Sequence, residues 1–177
     1  QPGFKYSFGL LNRALLALLY GDLFMRLINR TRPYERFPGS ANLLLEKWME
    51  IAKDNIRDGS LRKFKSNVRS VIKEFDRLEL RNINKPKVAV VGEILLKYHP
   101  TANNDIVNII EQEGAEAVVP DLMDYLLYSA FNARFRYRYL AGKKLNMMLG
   151  NFAINYIQAY RRVIQKELGK SKRFIPP

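Results

Sequence analysis

The sequence contains no cysteine and a single histidine, His99. Without thiols there is no disulfide, no thiolate nucleophile and no cysteine-ligated zinc or iron–sulfur cluster in this chain. With one histidine, placed before Pro100 and with no serine elbow nearby, neither a histidine metal cluster nor a nucleophile triad can be assembled. The glycine patterns that cradle phosphates, GxGxxG and GxxxxGKS/T, are also absent. The expectation is therefore no catalytic residue, no metal site and no cofactor held by this chain. The N-terminal Gln-Pro-Gly-Phe lacks the basic region and apolar stretch of a signal peptide. The most apolar stretch, residues 10–28, carries Arg13, Asp22 and Arg26, so no bilayer span is expected. A cytoplasmic protein away from membranes is the expectation.

What the chain has in excess is positive charge. The formal net charge is +13 over 177 residues. The surplus is spread over both halves, +8 in residues 1–86 and +5 in residues 87–177. It reads either as a solvated basic surface or as attraction to an anionic partner such as nucleic acid, a phosphorylated ligand or an acidic protein face.

The apolar periodicity predicts a mostly helical α/β chain: a helical region over residues 1–84, then a βαβ unit with two long helices over residues 85–177. Residues 7–31 read as a helix apolar almost all round, which calls for a central position or a partner. Asp22 and Arg26 on it stand four apart and can pair. Ser40 caps a second predicted helix, to about residue 58. A third, over residues 61–80, turns Phe64, Val68, Val71, Ile72, Phe75 and Leu78 inward. Its other side carries the basic stripe Arg62, Lys65, Arg69, Lys73 and Arg77, well placed for phosphates.

Residues 85–120 change character. Val88, Ala89, Val90 and Val91 read as a short strand buried on both faces. A turn at Gly92 and Glu93 and a loop follow, and Asn103 or Asn104 can cap the next helix. Ile106, Ile109 and Ile110 give that helix an apolar face, and Gly114 supplies a left-handed stop. Residues 115–119 read as a second strand. Strand, helix, strand at this spacing predicts parallel pairing, a small Rossmann-like unit. Gly92 and Glu93, beyond the strand's carboxyl end, with Asn103 and Asn104 at the helix start, form the candidate ligand site. A phosphate of an acyl-CoA would suit such a helix start. Glu111, Glu113 and Glu116 read as surface groups.

Asp121 can cap a fourth helix, to about residue 140, with Tyr125, Tyr128, Phe131, Phe135 and Tyr139 at helical spacing. Arg134, Arg136 and Arg138 interleave with the last of these. Core packing with arginines at the rim is one reading. Base stacking with phosphate contacts is the other, and it makes those three arginines the candidate anion site. A fifth helix, to about residue 168, turns Leu145, Met148, Leu149, Phe152, Tyr156, Tyr160, Val163 and Ile164 inward.

An ordered series of residues carries a family resemblance. It comprises Lys85-Pro86-x-Val88-x-x-Val91-Gly92-Glu93, then Pro100-x-x-Asn103, then Glu113-Gly114-Ala115-Glu116, and Pro120. Together with Ser7-Phe8-Gly9-Leu10 and residues 124–138, it resembles the C-terminal, dehydratase-subunit-like part of activator-related proteins of the 2-hydroxyacyl-CoA (2-hydroxyglutaryl-CoA) dehydratase group. The resemblance implies a long parent polypeptide with actin-like ATPase modules and iron–sulfur-type cysteines, in a system whose activators use ATP to drive an electron onto the dehydratase. The absence of cysteines and phosphate loops here places the implied ATP and iron–sulfur cluster in other parts of that protein. On this view the chain is a non-catalytic docking domain whose partners are those other parts or dehydratase subunits. An incomplete sheet and an apolar first helix also imply a dimer or higher oligomer when those parts are missing. The alternative is a basic nucleic-acid-binding module using the faces that run from Arg62 to Arg77 and from Arg134 to Arg138.

Overall fold

The computed structural model describes residues 7–140 and 144–174, apart from the side chains of Ala133 and Arg134. Seven α-helices and a two-stranded parallel sheet make up the described residues. In order these are α1 (Phe8–Asn29), a 3-10 turn (Arg32–Tyr34), α2 (Ser40–Asp58), α3 (Leu61–Asp76), β1 (Lys87–Ala89), α4 (Ile94–Tyr98), α5 (Ile106–Gln112), β2 (Glu116–Val118), α6 (Leu122–Tyr139) and α7 (Lys144–Leu168).

The main core forms around α1. Leu16, Leu19, Leu23 and Leu27 are buried and meet Trp48 and Ala52 of α2, Phe64, Val68 and Phe75 of α3, and Ile164 and Leu168 of α7. Rings interlock at its centre, with Tyr20 edge-on to Phe64 at 5.2 Å and Phe64 against Tyr160 at 5.6 Å. The polar atoms in this core are all answered. The Tyr20 hydroxyl donates to Asn55 Oδ1 at 2.7 Å and accepts from Asn67 Nδ2 at 3.0 Å, joining three helices. Asn12 Oδ1 accepts from both Tyr156 and Tyr160, while its amide donates to the Gly59 carbonyl in the α2–α3 turn. Gly59 itself sits at φ +69°, which favours glycine.

By length and composition Phe8–Tyr34 does qualify as a candidate bilayer span, which differs from the sequence expectation. Its five charged residues, Arg13, Asp22, Arg26, Arg30 and Arg32, lie mostly toward its C-terminal end and do not lower the mean hydropathy of the rest enough to prevent that. Here much of the segment supplies core contacts.

The second helix is not capped by Ser40. Gly39 occupies the cap position at φ +90°, and the buried Glu35 carboxylate takes the N–H groups of Gly39 and Ala41 instead. A carboxylate reaching back from the preceding loop does a capping residue's work. The basic tail also has a structural part. Ser171 donates to Asp76, Arg173 donates to the carbonyls of Phe75 and Leu78, and Phe174 is fully buried. Phe75 lies in the last turn of α3 and Leu78 just beyond it, so the tail adds side-chain donors where the helix runs out of its own.

The predicted strands exist and pair in parallel, with Lys87 opposite Glu116, Val88 opposite Ala117 and Ala89 opposite Val118. β2 is sandwiched between α5 and α1. The expectation that the first strand is buried on both faces is wrong. Lys87, Val88 and Ala89 are all exposed, Val91 is 77% exposed, and Val90 is the one covered residue of the run. With two strands, β1 has a partner on one side only, and α5 is too short to shelter it. Ile110 is buried beneath β2 with Val90, Ala115 and Ala117, but Ile109 is exposed.

Two classes of phenylalanine follow from this layout. Phe64→Ala should lower stability by about 3–5 kcal/mol, because it empties the centre of the core. Phe135→Ala on α6, where the ring is half exposed, should stay within about 0.5 kcal/mol. Urea unfolding followed by circular dichroism measures both.

Candidate functional site

Three places carry the polar and apolar features from which a site could be built. The first is where α1, α6 and α7 meet. Asp22 is buried on α1, and it does not pair with Arg26 as the four-residue spacing suggested. Its two oxygens accept the N–H groups of Leu122 and Met123 at 2.9 and 2.8 Å. These are orphan donors at the start of α6, so an aspartate from a distant helix caps it. Asp121, the sequence candidate for that cap, makes no side-chain capping bond. It accepts Arg26 at 2.8 Å and lies 3.8 Å from Arg161, which also reaches Asp124. The two aspartates have exchanged the roles that spacing assigned them. A small cavity of about 70 Å³ adjoins them, lined by Leu19, Leu23, Met123 and Ile164 among others.

Burial pushes the Asp22 carboxyl up to about 6, against the opposing pull of the two N–H bonds, and the Asp121 and Asp124 charges raise it further. Tyr98 donates to the Pro120 carbonyl at 2.7 Å. Burial, then the charges of Asp22, Asp121 and Asp124, push its hydroxyl up to about 12.

The second place is the loop after β1. Glu93 caps α4, accepting the Leu95 N–H at 3.0 Å, in a stretch for which the sequence predicts only a loop. Gly92 stands at φ +141°, and a Cβ there would lie 3.9 Å from the Leu96 side chain. Asn103 accepts from the Ile106 N–H at 3.3 Å and donates to the Leu96 carbonyl at 2.9 Å. Asn104 and Asp105 have positive φ values of 54° and 55°. Gly92, Glu93 and Asn103 are thus brought together around Leu96, and Asn104 adjoins them. The polar groups of Glu93 and Asn103 are already engaged in holding the α4–α5 connection. At the start of α5, where a phosphate was expected, the Ile106 N–H is taken by Asn103 Oδ1.

Of the three nearby glutamates expected at the surface, Glu113 is exposed, but Glu111 and Glu116 are not. Glu116 is 4% exposed and accepts the Tyr34 hydroxyl at 2.7 Å. Glu111 receives two hydrogen bonds from the Arg32 guanidinium, at 2.7 and 3.0 Å, and Arg32 also donates to Asn108. These pairs fasten the βαβ unit to the turn after α1. A sequence signal for them is hard to find, since the partners stand about eighty positions apart. The lone Glu between the alanines of a buried strand was the one available hint.

The third place is the hairpin of α6 and α7. The helices run antiparallel, since Asp124 meets Arg161 while Phe131 shares an open cleft with Met147, Asn151 and Ile154. Both core readings of these helices fail over their outer halves. Among the described residues, none from 128 to 159 is buried. Tyr128, Phe131, Phe135 and Tyr139 on α6 are exposed, as are Leu145, Met148, Leu149 and Phe152 on α7. On α7, burial begins only at Tyr160. The helical spacing was right, but periodicity does not say whether anything packs against a face. Arg136 and Arg138 are exposed; the Arg138 guanidinium lies 5.8 Å over the Tyr139 ring, and Phe135 and Tyr139 rings stand 4.9 Å apart. The side chain of the third candidate, Arg134, lies outside the described residues. On α3, Arg62, Lys65, Arg69, Lys73 and Arg77 are all exposed, and Arg69 lies 3.7 Å from Glu167.

Among the described residues no group of three or more metal-ligating side chains occurs. Comparison with protein-family models, curated proteins and solved structures finds no match to the chain.

The Asp22 cap has a pH signature. Its folded-state carboxyl sits near 6 against an ordinary 3.8. The folded form therefore holds the proton more tightly, and this contribution to stability is complete below about pH 4 and lost as pH rises through about 6. Relative to Asp22→Asn, the wild type should gain on the order of 2–3 kcal/mol between pH 7 and pH 4. Urea midpoints of the two proteins across that range measure the difference, and parallel curves would remove the assignment.

Proposed function

We propose that the chain is a non-catalytic docking domain of a 2-hydroxyacyl-CoA dehydratase activator-related protein, with a Rossmann-like core whose sheet is completed by other parts. The observation that carries the docking part is β1. A parallel sheet is ordinarily covered on both faces and both edges, and this strand is open. Pro86 accepts from Glu116 N, and Val90 N donates to Val118 O, so residues 86 and 90 address β2. By the alternation of strand geometry, the N–H and C=O groups of Lys87 and Ala89 point the other way, to a free edge. Around it stand Val88, Val91, Leu95 and Leu96, all exposed.

The family part rests on the resemblance of the motif series, and the structure supplies a consistent physical part for several of its members. Glu93 and Asn103 build the α4–α5 connection, Gly114 makes the turn before β2 at φ +87°, and Glu116 anchors the strand. In this reading the ATP site and the iron–sulfur cluster belong to partner domains or subunits, the setting is cytoplasmic, and this chain contributes surface. Self-association through the free edge is the expected substitute when those partners are absent.

The test is direct association. Mixed with purified 2-hydroxyacyl-CoA dehydratase subunits or with the ATPase part of such an activator, the chain should form a complex in sedimentation. Residues 87–91 should gain protection from amide hydrogen exchange in it. No complex at about 100 µM, an affinity of roughly 5 kcal/mol, would remove the proposal.

The exposed basic face of α3 favours a second reading, a nucleic-acid-binding module. It requires oligonucleotide binding that weakens steeply with salt and is abolished when Arg69 and Lys73 are changed to glutamate.

A further inference from the structure

We infer that the outer half of the α6–α7 hairpin is a docking surface for an acidic, amphipathic protein segment, an apolar helix flanked by carboxylates. The inference rests on the docking reading above and adds a second surface, remote in sequence from β1, with a stated partner chemistry.

Size comes first. Side chains such as Tyr128, Phe135, Tyr139, Leu145, Met148 and Phe152 are each more than half exposed. Large side chains carry roughly 150–250 Å² apiece, so the hairpin leaves on the order of 800 Å² open, about what one side of a standard protein interface buries. Monomeric surfaces seldom leave so much apolar area open on one element pair.

Charge then selects the partner. Residues 125–166 contain eight arginines and lysines and no aspartate or glutamate. A second copy of this chain would bring two such surfaces together with no carboxylate between them, which is costly. The partner must bring the acids. Arg138 is exposed, with its guanidinium 5.8 Å from the centre of the Tyr139 ring, and a guanidinium can take a carboxylate in two parallel bonds.

Geometry separates protein from the other anionic partners. Leucines and methionines stand among the aromatic rings of the patch, and these give a base no flat face to stack on. The apolar side chains run along both helices from Tyr128 to Phe152 and are not gathered at the tip as a membrane wedge would require. Between the helices opens a cleft of about 460 Å³ with Phe131, Met147 and Ile154 as apolar walls and Asn151 and Asn155 at its side. An inserted apolar side chain fits there, with asparagine amides to take a neighbouring backbone group.

The test uses four probes against the full chain: a fluorescent amphipathic helical peptide with leucines on one face and glutamates on its flanks, the same peptide with lysines for glutamates, a thymidine oligonucleotide, and vesicles of phosphatidylcholine with phosphatidylserine. The glutamate peptide should bind at least about tenfold more tightly than the lysine peptide, a difference of about 1.4 kcal/mol in affinity. Phe135→Ser with Phe152→Ser should weaken it about tenfold, and so should Arg136→Glu with Arg138→Glu. All four side chains are exposed, so melting temperatures should not move, which separates lost docking from lost folding. Equal affinity for the two peptides, indifference to both double variants, or binding confined to the oligonucleotide or the vesicles would overturn the inference. So would a dimer in sedimentation that Phe135→Ser with Phe152→Ser dissociates. Protection of residues 87–91 by dehydratase subunits alongside any of these would leave the first docking surface standing and remove this one alone.

Discussion

The carboxylate of Asp22, inside the protein and bonded to the first two N–H groups of α6, is the constraint on which the arrangement of the second half depends. α1 is otherwise an apolar rod, and an apolar rod sets neither register nor direction for what packs on it. The aspartate does both, because a helix start offers its donors from one end and along one axis. Arg26, one turn later, holds Asp121, and Arg161 of α7 reaches the same aspartate and Asp124. Three helices are therefore keyed by hydrogen bonds whose geometry tolerates little shift. Leaving any of these groups unanswered in this half-buried setting would cost more than the bond itself contributes.

Beyond that node the chain divides into a filled part and an open part. α1, α2, α3 and the inner ends of α6 and α7 enclose a core in which, among the described residues, no buried side-chain nitrogen or oxygen lacks a partner. The sheet and the outer hairpin do not close. β1 lacks a neighbour on one side, and the hairpin projects past the N-terminal end of α1, where Phe8 against Tyr156 marks the last contact between rings of the two helices. Apolar area left open in this way is unfavourable in water by about 25 cal/mol per Å². The rigid core is what allows the chain to hold both surfaces exposed and still be folded.

Local signals recovered much of this and failed in a consistent way. The inward residues Phe64, Val68, Val71, Ile72 and Phe75 of α3, the parallel pairing of two short strands and the stop at Gly114 follow from signals within a few residues, and each was legible. Buried Asp22, buried Glu116 and the docking of Phe174 are decided by partners 80 to 100 positions away. No spacing rule reaches that far. The aromatic stripes on α6 and α7 show a different limit. Their periodicity marks a face meant to be covered, and whether this chain or another covers it is not written in the period. The loop residues Gly92, Glu93 and Asn103 do lie together, although the bonds that Glu93 and Asn103 make are spent on the backbone of α4 and α5.

The same long-range bonds explain how a net charge of +13 is distributed. Asp22, Glu35 and Glu116 are buried, and each is engaged by backbone or hydroxyl donors and not by a surface cation. Glu111 and Asp121 are largely enclosed by the arginines they hold. Carboxylates are thus drawn inward as caps and keys, where water-filled space does not carry their field. The cations stay outside, since the long stems of lysine and arginine keep their heads in solvent. The exterior is therefore more positive than the composition states, most of all along the outer half of the hairpin, where no acid occurs to balance it. Folding this chain sorts its charges, and the sorting leaves apolar and cationic groups side by side on the one surface that the core does not fill.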